Sequence, residues 1–176
     1  MPRSGVGAQL GAKSESTWGT AVTVTDFHPF QSEDIRLRKT NIESAGLRAG
    51  QLVQMSALHV ATTSFAEGTV EFDPMTRGFS KWLNLLHGNT VTPSTPAGGT
   101  SARVHSHVIG QTDPYGKSLT VQIGRPDVSS TVRAFTYAGL KARSVNFQCA
   151  TGGILTSTWE LVGKSESTAG YRQAPT

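Results

Sequence analysis

From Lys117 to Gly163 apolar residues alternate with polar ones through run after run. Leu119, Val121 and Ile123 alternate with Ser118, Thr120 and Gln122, the period-two signature of a strand with one buried face. Val145, Phe147 and Cys149 repeat it, and so do Leu155, Trp159 and Leu161. Between these last two runs Thr151-Gly152-Gly153 supplies a glycine pair suited to the positive φ of a tight hairpin. The pattern predicts strands at Lys117–Gly124 and Arg133–Tyr137, then a closing hairpin of Lys141–Ala150 with Ile154–Val162. Upstream it predicts strands at Ala21–Phe30 and Glu33–Ile42, with Ile35 and Leu37 opposite Asp34, Arg36, Arg38 and Thr40. A long β run follows at Leu52–Ser64, turned by Phe65–Gly68 into Thr69–Asp73, and another strand is expected at about Arg103–Ile109.

The period changes once. Asp73 suits an N-cap and Pro74 a first helical position, and Phe79, Trp82, Leu83 and Leu86 fall on one stripe. Gly88 closes the stripe as a C′ glycine, so one helix is expected over about 74–87. A helix that short needs a sheet to lie on. Residues 1–20 carry little periodic apolar content and read as an N-terminal arm, with 21–163 the β domain and 164–176 a polar C-terminal extension. Residues Glu43–Gly50 read as a long inter-strand loop, and Asn89–Ser101 as a loop inside the domain. Lys13-Ser14-Glu15-Ser16-Thr17 recurs at Lys164-Ser165-Glu166-Ser167-Thr168, too short a match to make a structural repeat.

Composition supports a mainly β chain of one domain. The 22 threonines favour strands, the 18 serines favour loops, and 176 residues give room for one real core. The net charge of +4 comes from scattered cations, unlike the concentrated patch of a specific nucleic-acid reader. A lone cysteine excludes an internal disulfide, no secretory signal opens the chain, and no apolar run has the length of a membrane helix. Synthesis in the cytosol without membrane association is the expectation.

Candidate chemistry thins out on inspection. His105-x-His107 places two imidazoles on one strand face but lacks a third ligand. Cys149 shares the face of Val145 and Phe147 and reads as inert packing. Glu33 and Asp34 point to opposite faces, and the glycine pairs lack the frame of a phosphate loop. No catalytic residue, metal ligand or cofactor site is expected. Phe79, Trp82, Leu86, Leu119, Val121, Phe147 and Trp159 are the expected core. Glu67, Thr69, Glu71 and Asp73 form a carboxylate-rich solvent stripe opposite Val70 and Phe72, and Trp18 stands in the arm as an aromatic needing a partner.

Several segments together resemble the major tail tube protein of long-tailed (siphovirus-type) bacteriophages. They are Gly11-Ala12-Lys13-Ser14-Glu15-Ser16-Thr17-Trp18-Gly19-Thr20, the Ile42–Arg48 loop, Glu67-Gly68-Thr69-Val70-Glu71-Phe72 leading into Gly78–Gly88, Lys117–Pro126 and Phe135-Thr136-Tyr137-Ala138-Gly139. The type VI secretion tube protein is a more distant likeness. The resemblance implies a β-sandwich or partial barrel of two packed antiparallel sheets flanked by one helix, with an extended arm and a long inter-strand loop. It implies a structural virion protein with no enzymatic activity, self-assembling as hexameric rings stacked into the tail tube. Its partners would be further copies of itself, a tape-measure protein and tail-end and baseplate proteins, with double-stranded DNA passing non-specifically at genome ejection. Assembly would take place in the host cytoplasm. Glu67, Thr69, Glu71 and Asp73 would face the lumen, while Trp18, Glu43, Leu47, Arg48 and Gln51 would lie at subunit or ring interfaces. An acidic lumen would repel phosphate, provided Arg36, Arg38, Arg133, Lys141 and Arg143 lie elsewhere. Two other functions compete: a single-ring tail-end or baseplate component of the same fold, and a β-sandwich ligand-binding module for carbohydrate or peptide.

Overall fold

A computed structural model describes residues 5–44, 46, 50, 59–99, 101–110, 117–127 and 131–168. After a 3-10 turn at Gly5–Gly7, the strands are β1 (Gln9–Ser14), β2 (Phe27–His28), β3 (Ser32–Glu33), β4 (Arg36–Glu43) and β5 (His59–Phe72). The helix α1 (Ser80–His87) precedes β6 (Leu119–Pro126), β7 (Val132–Gln148), β8 (Thr156–Gly163) and β9 (Ser165–Ser167). The nine strands among the described residues join one antiparallel sheet in the order β2-β1-β6-β7-β8-β5-β3, with β4 on β5 and β9 on β7. Two layers arise because the seventeen residues of β7 serve both: Val132–Leu140 pairs β6, and Lys141–Gln148 pairs β8. The sequence breaks this strand in two at Ala138-Gly139. The structure keeps it whole, with Gly139 at φ 72, where a residue with a side chain would be strained.

The layers close over a core of Leu10, Leu119, Val121, Ile123, Tyr137 and Leu140 from one side and Ile35, Val70, Phe72, Trp159 and Leu161 from the other. Tyr137 Oη donates to the Ile35 carbonyl at 2.8 Å, bridging the layers. Arg125 grips Glu33 through Nε at 2.9 Å and Nη2 at 2.7 Å and also donates to the Ile35 carbonyl. The carboxylate of Glu33 holds Arg125 firmly protonated, and burial pushes the Tyr137 phenol up to about 12.

Three further expectations change. The helix starts at Ser80 rather than near Pro74, with Phe79 at the cap and Asp73 accepting instead from Gln31 Nε2 at 2.6 Å. Its C-terminal Gly88 is left-handed at φ 68, as the pattern requires. The turn at Phe65–Gly68 does not exist, because β5 runs through it. Gly68 is needed for close approach, since a Cβ there would stand 2.0 Å from the Asp34 carbonyl oxygen. The segment 103–109 is not a strand; it holds one isolated bridge, Val104 to Ser94.

The largest change concerns the arm. Gln9–Ser14 is an internal strand between β2 and β6, with Leu10 and Ala12 fully buried. The apolar signal was weak because glycine and alanine fill this stretch, yet close sheet packing is what small residues permit. A Cβ at Gly11 would come within 2.5 Å of Val24. The C-terminal extension begins in contact too, as β9 pairs with Thr136–Ala138.

Candidate functional site

Two surfaces stand out, and β5 builds both. Its last eight residues alternate Ala66, Val70 and Phe72 inward with Glu67, Thr69 and Glu71 outward. Register then assembles one outward face: Glu67 lies opposite Arg36 of β4 and Val162 of β8, Thr69 opposite Glu160, and Glu71 opposite Thr158. β7 extends it with Lys141 opposite Val162, Ser144 opposite Glu160 and Asn146 opposite Thr158.

The electrostatics of this face differ from the acidic stripe read from the sequence. Arg38 Nε donates to Glu67 at 2.8 Å, Arg36 binds Asp34, and Arg143 Nη1 donates to Glu160 at 3.1 Å. Ser32 donates to Glu71 at 3.1 Å and Ser144 to Glu160 at 2.8 Å. The alternation hid this because strand pairing, which sequence does not specify, brings the β4 arginines beside the β5 carboxylates. Three of the five cations expected elsewhere, Arg36, Arg38 and Arg143, therefore sit with the acids, Lys141 shares their face by register, and Arg133 pairs with Asp127. The result is a charge-compensated, hydroxyl-rich face with a shallow cleft of about 200 Å³ over Gly68.

The second surface is the β4–β5 ribbon. Arg38–Glu43 and His59–Ser64 are exposed at every position, so both faces of the ribbon meet solvent. Ile42 and Val60 lie directly opposite one another, 60% and 59% exposed. Beside them His59 Nδ1 is 3.1 Å from Glu43. Glu43 thus sits at the ribbon's outer end; Leu47, Arg48 and Gln51 lie outside the described residues.

Trp18 is half-exposed but already held by its own chain. Its Nε1 donates to the Gly139 carbonyl at 3.2 Å, and the Lys164 ammonium lies 5.2 Å from its ring centre. Next to it Glu15 forms a latch that the sequence reading missed. Its buried carboxylate accepts from Ser118 Oγ (2.6 Å), Thr120 Oγ1 (2.8 Å), Gly139 N (2.8 Å) and Gly19 N (2.8 Å). The two Lys-Ser-Glu-Ser-Thr copies therefore meet at the β7 bend, Lys164 N donating to Ala138 O at 2.9 Å. Among the expected core residues, Trp82, Leu119, Val121 and Trp159 are buried and Phe79 is partly so. Leu86 and Phe147 are 37% and 42% exposed: Leu85 takes the inward helical position, and Phe147 lies where β7 leaves the core, touching Trp159 edge-on. Cys149, past that edge, is exposed rather than packed.

Among the described residues no group of three histidine, cysteine, aspartate or glutamate side chains could hold a metal ion, and no helix is long and apolar enough to cross a membrane. A family model described as phage tail tube protein matches residues 5–176. The chain belongs to that family. As a tail tube protein it is a structural part of the virion tail and not an enzyme. No curated protein sequence matches it. In fold it is similar to a chain of the native gene transfer agent virion, at 7% identity and TM-score 0.51, covering 96% of this tail tube protein and 100% of that chain. A chain of the six-fold symmetrised anti-feeding prophage baseplate matches at 10% identity and TM-score 0.51, covering 95% of each. The tail of the empty gene transfer agent particle, refined with C6 symmetry, matches at 8% identity and TM-score 0.51, over 96% and 100%.

Proposed function

We propose that this tail tube protein assembles into hexameric rings that stack into the tube through which the genome leaves the virion. The observation that carries this reading is the β4–β5 ribbon. A two-stranded ribbon open on both faces is marginal in water, and its exposed Ile42–Val60 pair adds an apolar patch that only a partner would bury. Among the described residues no strand pairs the outer edge of β4, a further liability for a lone subunit, and pairing or covering that edge within a ring removes it. Glu43, the positions Leu47, Arg48 and Gln51 beyond it, and the exposed edge of Trp18 are the proposed contacts between subunits or rings. Glu67, Thr69, Glu71 and Asp73 are the proposed lumen face. Here the arginines are matched in cis by carboxylates, so a phosphate backbone finds few unpaired cations to exchange for its counterions and slides without sticking. A tape-measure protein inside the growing tube and tail-end proteins at its tips complete the assembly.

A single ring at a tail end is the second reading, favoured by the equal fold likeness to the baseplate chain and to the tail chains. A ligand-binding module is disfavoured, because Trp82 and Trp159 are in the core and offer no aromatic platform. Negative-stain microscopy of the concentrated protein separates these. Hollow tubes with a ring repeat are expected; discrete rings mean the tail-end role, and monomers under all conditions would sink both.

A further inference from the structure

Segment 101–110 is tied to both ends of α1. At the first helical turn Ser80 Oγ lies 3.1 Å from His105 Nδ1 and 3.3 Å from His107 Nε2. At the last turn Gly110 N donates to the His87 carbonyl at 2.8 Å. Between these ties three imidazoles gather: the His105 and His107 rings stack 6.3 Å apart at 13°, and His87 stands 6.1 Å from His107. His107 Nδ1 is buried, with no hydrogen-bond partner among the described residues.

We propose that residues 101–110 form a pH-sensitive strap, closed on α1 while His107 is neutral and released when it takes up a proton. The hydroxyl of Ser80 has one proton. It can donate to the lone pair of one imidazole while accepting from the N–H of the other, and that arrangement exists only if one ring is neutral. Protonation puts a second N–H on His107, at the buried Nδ1 where no described residue accepts it, and adds a positive charge beside the His87 and His105 rings. Among the described residues no carboxylate is among the groups acting on His107. The groups acting on His107 are His87 from α1 and His105 from the strap itself. Other cations nearby are turned elsewhere, Lys81 to Asp26, Arg103 to Thr95 and Lys117 to Thr90. Burial first, then His87 and His105, hold the His107 pKa below its ordinary value of 6.5. A lowered histidine pKa favours the closed strap above that value and loses the stabilisation as pH falls below it. Besides its bridge to Ser94 at Val104, the strap has little apolar anchorage: Val104, Val108 and Ile109 are all exposed, so few apolar contacts resist opening beyond that bridge.

This inference is independent of the tube reading and is tested on the full chain by amide hydrogen exchange at about pH 7.5 and about pH 5.0. Rates are expressed as protection factors corrected for intrinsic exchange. Protection across Val104–Gly110 is expected to fall about tenfold or more at the lower pH, with β6, β7 and β8 unchanged. His107→Gln, which keeps a neutral hydrogen-bonding side chain, should flatten most of that response, and His105→Asn should flatten it in part. Unchanged protection of the strap at the lower pH would overturn the proposal. So would a fall of equal size in both variants, or a His107 ring titrating by NMR at or above the ordinary histidine value.

Discussion

β6 and β4 are both eight-residue strands with alternating side chains, yet they meet opposite environments. Six consecutive residues of β6, Leu119 to Gly124, are buried, whereas in β4 only Leu37 is even partly covered. Position in the sheet gives half the reason, since β6 lies between β1 and β7 while among the described residues β4 pairs with β5 alone. The other half is a second cover. Residues 15–26 cross the outer face of β6, with Glu15 on Ser118 and Thr120, Val22 N donating to Thr120 Oγ1 at 3.1 Å, and Val24 buried. A polar alternation marks a solvent face only when nothing polar covers it. In β6 the cover is a hydroxyl-and-carboxylate network, so Thr120 and Gln122 are interior residues there, as is Ser118 just before the strand. In β4 the same kind of pattern is left for another molecule to meet.

Removing that cover should have the largest effect. Glu15→Ala leaves two hydroxyls and two backbone N–H groups without their acceptor inside the protein. A loss of about 3–5 kcal/mol in urea-induced unfolding is expected, with Glu15→Gln losing less because one oxygen survives. A loss under about 1 kcal/mol would mean that the segment after β1 covers β6 without the latch.

Acid should attack the same half of the molecule next. His28 in β2 is 8% exposed, and burial, aided by the Lys81 ammonium and opposed by Asp26, lowers its pKa to about 4. Its Nε2 has no partner among the described residues and stands against Gly78. The unfolded chain protonates this ring near 6.5 and the folded one only near 4, so its stabilisation is complete above 6.5 and fades as pH drops toward 4. The expected contribution to that slope is about 2–3 kcal/mol. In His28→Asn, stability measured across the same window should lose this component, and an unaltered slope would show that His28 is not what acid attacks.

The contrast also explains which parts were legible. The β7–β8 hairpin, the core side of β6 and the Gly88 stop of α1 follow from local rules: alternation, a glycine pair, a left-handed cap. β1 was hidden because Gly11 and Ala12 contribute almost no hydrophobic signal while packing against Val24 and Phe27. Gly68 and Gly139 looked like punctuation but sit within continuous strands, where they answer close approach and a bend respectively. Register hid the rest. The pairing of Arg38 with Glu67 spans 29 residues, and no window of the sequence brings them together. Cys149 and Phe147 show the converse error, since their alternation continues beyond the point where an opposing layer ends.

The smallest effect on stability should accompany the largest effect on assembly. Ile42 and Val60 face one another on the ribbon and lose little by meeting water as threonines, which keep the β-branched shape that strands favour. The double variant Ile42→Thr, Val60→Thr is therefore expected to unfold within about 0.5 kcal/mol of the parent, as exposed substitutions do. If the pair is the patch that a neighbouring subunit covers, sedimentation and microscopy should show tubes or rings replaced by monomers. Tubes forming as before would remove the ribbon from the interface and return the question to Trp18 and the edge of β4. A stability loss above about 1 kcal/mol would instead mean that the two side chains hold the ribbon together for its own sake. The two readouts separate a surface that supports its own fold from one that waits for a second copy, a distinction that exposure alone does not make.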